Sequence, residues 1–177
     1  MNKTLFISIA ILYFLFSGAS YVVADQGQHK PYVGSKAFER MKQLVGSWEG
    51  SMKMGKETMK MKASYKLTAA GSALVETFHE GTPHEMVSVW HDNKNKKLTM
   101  THYCAEHNQP KLVMQAMDNN QLTMDLVAGG EIDVANESHI HSAAILFEGD
   151  GRMTHKWTSF KAGEKDMVVK ISFSRVQ

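Results

Sequence analysis

Among the nine histidines and one cysteine of this 177-residue sequence, five side chains on late strands draw attention as ligands for a transition metal or a haem iron: His102, Cys104, His139, His141 and His155. Imidazole and thiolate suit zinc and copper, and one axial histidine can hold a haem. His102 and Cys104 are two residues apart, which on a β-strand puts both on one face. Which of the others join them depends on strand register. A turn of two or four residues at Glu148–Gly151 pairs Ala144 with His155. That register sends Ile140, Ser142 and His155 inward and His139 and His141 outward, whereas an odd turn reverses it. One consistent register therefore offers His102, Cys104 and His155 as the metal or haem set.

Methionine is the second signal. Twelve remain after Met1. Period-two counting turns Met52, Met54, Met59, Met61, Met86, Met100, Met117, Met124, Met153 and Met167 to one face. Methionine is unbranched and fills irregular space, so this face is either a packed core or a plastic pocket for an apolar ligand. No repeated Met-x-x-Met run supports copper(I). The pocket reading selects Trp90, Met100, His102, Met124, His155, Trp157 and Phe173 as ligand-binding residues. Tyr103 offers a polar anchor only if it leaves the outward face that its parity gives it. His84, Glu85, His107, Asn108 and Gln109 cluster near Pro83 and Pro110, where ordinary turn chemistry explains them.

Catalysis has little support. The chain contains no Gly-x-Ser-x-Gly, no His-Glu-x-x-His and no phosphate loop. Cys104 beside His102 has the composition of a nucleophile and base, but nothing in the sequence lowers the thiol pKa or supplies an oxyanion donor.

The elements that position these residues emerge from a change of period. Phe38, Met41, Leu44 and Val45 recur at helical spacing over Lys36–Val45, with Ser35 as N-cap and Gly46 as stop. Gly46-Ser-Trp48-Glu-Gly50 then opens a series of alternating segments. The helix lids one end of that strand series, with Trp48 as the plug of the same end. A Gly55–Thr58 loop pairs Met54 with Met59 and Trp48 with Tyr65. Further strands are expected at Ala73–Glu80, Glu85–His91, Lys97–Ala105, Lys111–Met117, Gln121–Val127, Ser138–Phe147, Arg152–Phe160 and Met167–Arg175. Ala128–Glu137 is a longer link carrying a helical turn or a mouth loop. About ten sequential strands joined by short turns predict an antiparallel up-and-down β-barrel, which removes its open edges by closing.

The N-terminus reads as an address. Lys3, an apolar run from Leu5 to Phe16 and Val22-Val-Ala24 have the layout of a secretory signal peptide over residues 1–24. Residues 25–34 form a polar, flexible lead-in, and 35–177 one domain. The single cysteine excludes an internal disulfide, so the core alone holds the fold. Removing the leader leaves 19 basic and 18 acidic side chains, a net charge of +1. That balance gives no electrostatic reason for nucleic acid or an anionic membrane as partner. The expected location is periplasmic or secreted, with no membrane span after cleavage.

A helix, then Gly46-x-Trp48-x-Gly50, then a meander resembles the calycin group: lipocalins, fatty-acid-binding proteins and the haem-binding nitrobindins. Thr82-Pro-His84-Glu-Met86, Thr101-His102-Tyr103-Cys104 and Asn108-Gln109-Pro110 resemble secreted bacterial calycin-like domains of unassigned function. The resemblance implies a barrel with a central cavity and Trp48 at its closed end, and it carries over no ligand. The expected function is non-catalytic binding of a small hydrophobic or amphipathic molecule inside the barrel. The alternatives are a haem or metal site on His102, Cys104 and His155, and a packed barrel acting through its surface, with a homodimer as one form of it.

Overall fold

A computed structural model describes residues 30–127 and 129–177. The leader at 1–24 and residues 25–29 of the lead-in lie outside the described residues. One short helix, α1 (Lys36–Lys42), precedes ten strands: β1 (Gly46–Met54), β2 (Glu57–Thr68), β3 (Ala73–Phe78), β4 (Met86–Asp92), β5 (Leu98–Tyr103), β6 (Lys111–Met117), β7 (Gln121–Leu126), β8 (His139–Gly149), β9 (Arg152–Lys161) and β10 (Glu164–Arg175). Each strand pairs antiparallel with the next, and β10 returns to β1. The sheet is therefore a closed up-and-down barrel with no free edge.

The helix is shorter than its apolar spacing predicts. Ser35 caps it as expected, its Oγ accepting from the Phe38 amide at 3.1 Å. It ends at Lys42, and Val45 is exposed rather than part of the buried stripe of Phe38, Met41 and Leu44. That stripe closes one end of the barrel. Trp48 is buried beside it, donating from Nε1 to the Leu44 carbonyl at 2.8 Å, and Arg175 lies over its ring at 4.4 Å. Gly50 is required for close strand approach, since a Cβ there would stand 2.2 Å from the Ser172 carbonyl oxygen. Asp92, at the end of β4, fastens the lid by accepting from the Ser35 amide at 2.6 Å, the Ser35 hydroxyl at 2.7 Å and the Tyr32 hydroxyl at 3.3 Å. The end of the lead-in is thus tied down, with Lys42 also bonding the Tyr32 carbonyl.

Two registers differ from those the sequence suggests. The β1–β2 turn has two central residues, Gly55 and Lys56, so Met52 faces Met59 and Trp48 faces Ala63. Gly55 has φ +60°, which suits the first central position of a tight hairpin turn. The slip is two residues, so every side chain keeps its face. The β8–β9 pair is different. An irregularity between Phe147 and Gly149 shifts the register by one, so His155 faces Ile145 and not Ala144. Ala143, Ile145 and Phe147 consequently fill the interior where Ser142 was expected. A second irregularity between Ile140 and Ser142 restores Ile140 to the inner side.

The interior is largely packed. Trp90, Tyr65, Phe78, Phe173, Met100, Met124, Leu98, Leu112 and Leu122 are all essentially inaccessible. Met61 and Met153 are buried with them, and Met52, Met86 and Met117 are partly buried against this core, as is Met114, which parity missed. Met59 and Met167 are exposed instead, because they sit at strand ends beyond the core, at the end opposite α1. The Met54 side chain lies outside the described residues.

Replacing Asp92 by alanine strips three donors of their acceptor. We predict a loss of about 1–3 kcal/mol in urea unfolding, with an unchanged midpoint as the contrary result.

Candidate functional site

Period two places a polar row inside an apolar wall. On β3, Leu74, Glu76 and Phe78 all point inward. Glu76 sits opposite Tyr65 on one side and opposite Ser88 on the other, and Ser88 sits opposite His102. Four neighbouring strands therefore contribute Tyr65, Glu76, Ser88 and His102 to one belt. From β9, across the barrel, His155 reaches into it.

The contacts are short and enclosed. The Tyr65 hydroxyl donates to Glu76 Oε1 at 2.5 Å and lies 2.9 Å from His155 Nε2. His155 Nδ1 lies 3.4 Å from the same Oε1. Trp90 Nε1 donates to Glu76 Oε2 at 3.0 Å. Ser88 Oγ lies 3.0 Å from His102 Nδ1. Phe78 and Phe173 pack edge-on against the His155 ring, and Trp157 lies against His102 at 5.1 Å between centroids.

Charge is expensive here. Glu76 is fully buried and, among the described residues, has no Lys or Arg within ion-pair distance. Burial pushes its pKa up to about 7, against the opposing pull of hydrogen bonds from Tyr65 and Trp90. Burial also drives His155 down to about 3 and His102 down to about 4. Tyr65 is raised well above its usual value by burial and by the neighbouring carboxyl. Proton counting agrees with a neutral cluster. The Tyr65 proton goes to Glu76 Oε1, so the proton between Tyr65 and His155 is the one on Nε2, and Nδ1 presents a lone pair 3.4 Å from the same Oε1, a contact that an ionised carboxylate would make repulsive.

The expected metal set does not assemble. His155 has Nε2 engaged by Tyr65 and Nδ1 held 3.4 Å from Glu76 within the cluster. Among the described residues, no group of three or more His, Cys, Asp or Glu side chains is arranged to hold a metal ion. Burial raises the Cys104 thiol above its ordinary pKa, so it rests as a thiol and not as the ligating or nucleophilic thiolate.

His102 and Cys104 instead border a small apolar pocket of about 180 Å³ at the barrel mouth opposite α1. Met52, Met61, Phe78, Met86, Ile140 and Trp157 form most of its lining. Of the seven residues expected to bind a ligand, His102 and Trp157 line this pocket. Trp90, Met100, Met124, His155 and Phe173 are part of the packed interior beneath it. With Nδ1 engaged by Ser88, His102 Nε2 has no hydrogen-bond partner among the described residues. Tyr103 points outward and is half exposed. The polar mouth group does serve turns: Glu85 accepts from the Gly81 amide at 2.6 Å, and Asn108 Nδ2 bonds the Ser138 carbonyl at 2.8 Å. Sequence reasoning missed Glu76. Its signal was a carboxylate at an inward position between Leu74 and Phe78.

No protein-family model matches the chain, and no curated protein matches it.

The raised carboxyl pKa has a defined sign. Stability from neutral Glu76 is fully present below pH 4.5 and is lost as pH rises through 7. That interval corresponds to roughly 3 kcal/mol at ~1.4 kcal/mol per unit. The melting temperature of Glu76→Gln, minus that of wild type, should therefore climb between pH 4.5 and 7.5. A difference constant with pH would contradict this assignment.

Proposed function

We propose that the barrel binds a small hydrophobic or amphipathic molecule, without catalysis, at its open mouth. The observation that carries this is the apolar pocket at the mouth, bordered by His79, His102 and Cys104, in which His102 Nε2 has no hydrogen-bond partner among the described residues. Pockets that orient a ligand combine an apolar lining with a few placed polar groups. The volume of about 180 Å³ suits a single ring or a short branched chain, because an apolar cavity of ~150 Å³ already holds benzene. Met59 and Met167, exposed at the same end, extend the apolar surface outward and give a longer tail a place to lie.

His102 stays neutral at neutral pH because burial depresses its pKa. Its free nitrogen then accepts from a ligand hydroxyl or amide. The strand plan is compatible with a calycin-type barrel, whose members enclose apolar ligands, and the leader-like sequence at 1–24 fits a periplasmic or secreted carrier. No helix among the described residues is long and apolar enough to cross a membrane.

Phenol and toluene separate the apolar and polar contributions. In ligand-observed NMR, wild type should bind both, with phenol several-fold tighter through His102 Nε2. His102→Leu should erase that preference, and Ile140→Trp, which fills the pocket, should abolish binding of both. Absence of saturation transfer to either compound in wild type would contradict the proposal.

A further inference from the structure

His139 and His141 are drawn together by the irregularity in β8. Their residue numbers alone would put them on one face of a regular strand. In the structure His139 Nε2 lies 3.3 Å from His141 Nδ1. His139 is buried, and its Nδ1 lies 2.8 Å from the Glu137 carbonyl oxygen. A carbonyl only accepts, so Nδ1 carries the proton and Nε2 presents a lone pair. The His141 ring is clamped by Phe160, stacked on it at 3.8 Å. It also forms part of a groove of about 430 Å³ that includes Glu131, Lys111 and Gln109, below the loop after β7.

We propose that His139 and His141 are a two-histidine site for a divalent transition metal of the zinc type, separate from the barrel pocket. Two imidazole nitrogens bound at 2.0–2.1 Å to one tetrahedral ion stand about 3.3 Å apart, which is the separation present. The Glu137 carbonyl supplies the outer hydrogen bond that fixes tautomer and ring orientation in histidine metal sites. Phe160 restrains the second ring. Binding exchanges the hydrogen bond between the rings for two metal–nitrogen bonds, and His141 moves its proton from Nδ1 to Nε2. No third protein ligand is in place among the described residues. Water completes the coordination, with Glu131 bordering the same groove as His141.

Isothermal titration with Zn²⁺ in a non-chelating buffer tests the site. Wild type should take up one ion per chain. His141→Ala should weaken binding at least tenfold, whereas His84→Ala, which removes an exposed histidine of a mouth loop, should leave it unchanged. A second readout needs no variant: added Zn²⁺ should shift the His139 and His141 imidazole resonances in wild-type NMR spectra and leave those of His155 in place. Absence of stoichiometric binding, equal weakening by both substitutions, or shifts confined to other histidines would overturn the proposal.

Discussion

A carboxyl group with no cation beside it, sealed within a closed barrel, is the constraint on which the rest of the interior turns. Glu76 must be satisfied entirely by neighbours, because an unmet buried carboxyl costs several kilocalories per mole. Tyr65, Trp90 and His155 meet it from three strands, and those strands stand on both sides of the barrel. The cluster therefore ties opposite walls together at one height. A register slip of one residue in β3 would turn Glu76 outward and bring Val75 and Thr77 inward. The polar row thus selects one register, whereas apolar side chains tolerate repacking.

The two ends of the barrel have different tasks. One is closed by α1, by Trp48 with Arg175 over its ring, and by Asp92 gripping the chain ahead of the helix. The belt and the aromatic layer of Phe78, Trp157 and Phe173 fill the middle. The opposite mouth holds the small pocket, whose lining includes Met52, Met61 and Met86. His102 belongs to both regions. Ser88 holds its Nδ1 in the polar row, and the residue borders the mouth pocket. Ser88 lies opposite both Glu76 and His102, so the histidine at the pocket is set by the same strand register as the buried carboxyl.

The barrel was legible because its strands repeat a period of two with short turns, and a two-residue error at Gly55 leaves parity untouched. The β8–β9 pair was not legible. Its irregularities at Phe147 and at His141 are set by packing of Ile145 and Phe147 into the core, which no local spacing encodes. The irregularity at Phe147 replaced Ser142 with Ala143 and Ile145 as inward neighbours, and the second one falls at His141, which lies 3.3 Å from His139. The filling of the interior was likewise invisible. Ten strands enclose room for a cavity, but the number of large side chains meeting at each level depends on stagger around the barrel. His102 and Trp157 reach the pocket lining because both lie near strand ends, where parity and depth agree.

The protonation state of Glu76 is the most direct test of the neutral belt, and site-resolved carbon NMR of its side-chain carboxyl reads it without altering the protein. A neutral belt requires the chemical shift of a protonated carboxyl through pH 5 and 6, with a titration centred near 7. A shift already that of an ionised carboxylate at pH 5.5 would mean that the buried cluster carries charge, and the neutral belt would not exist.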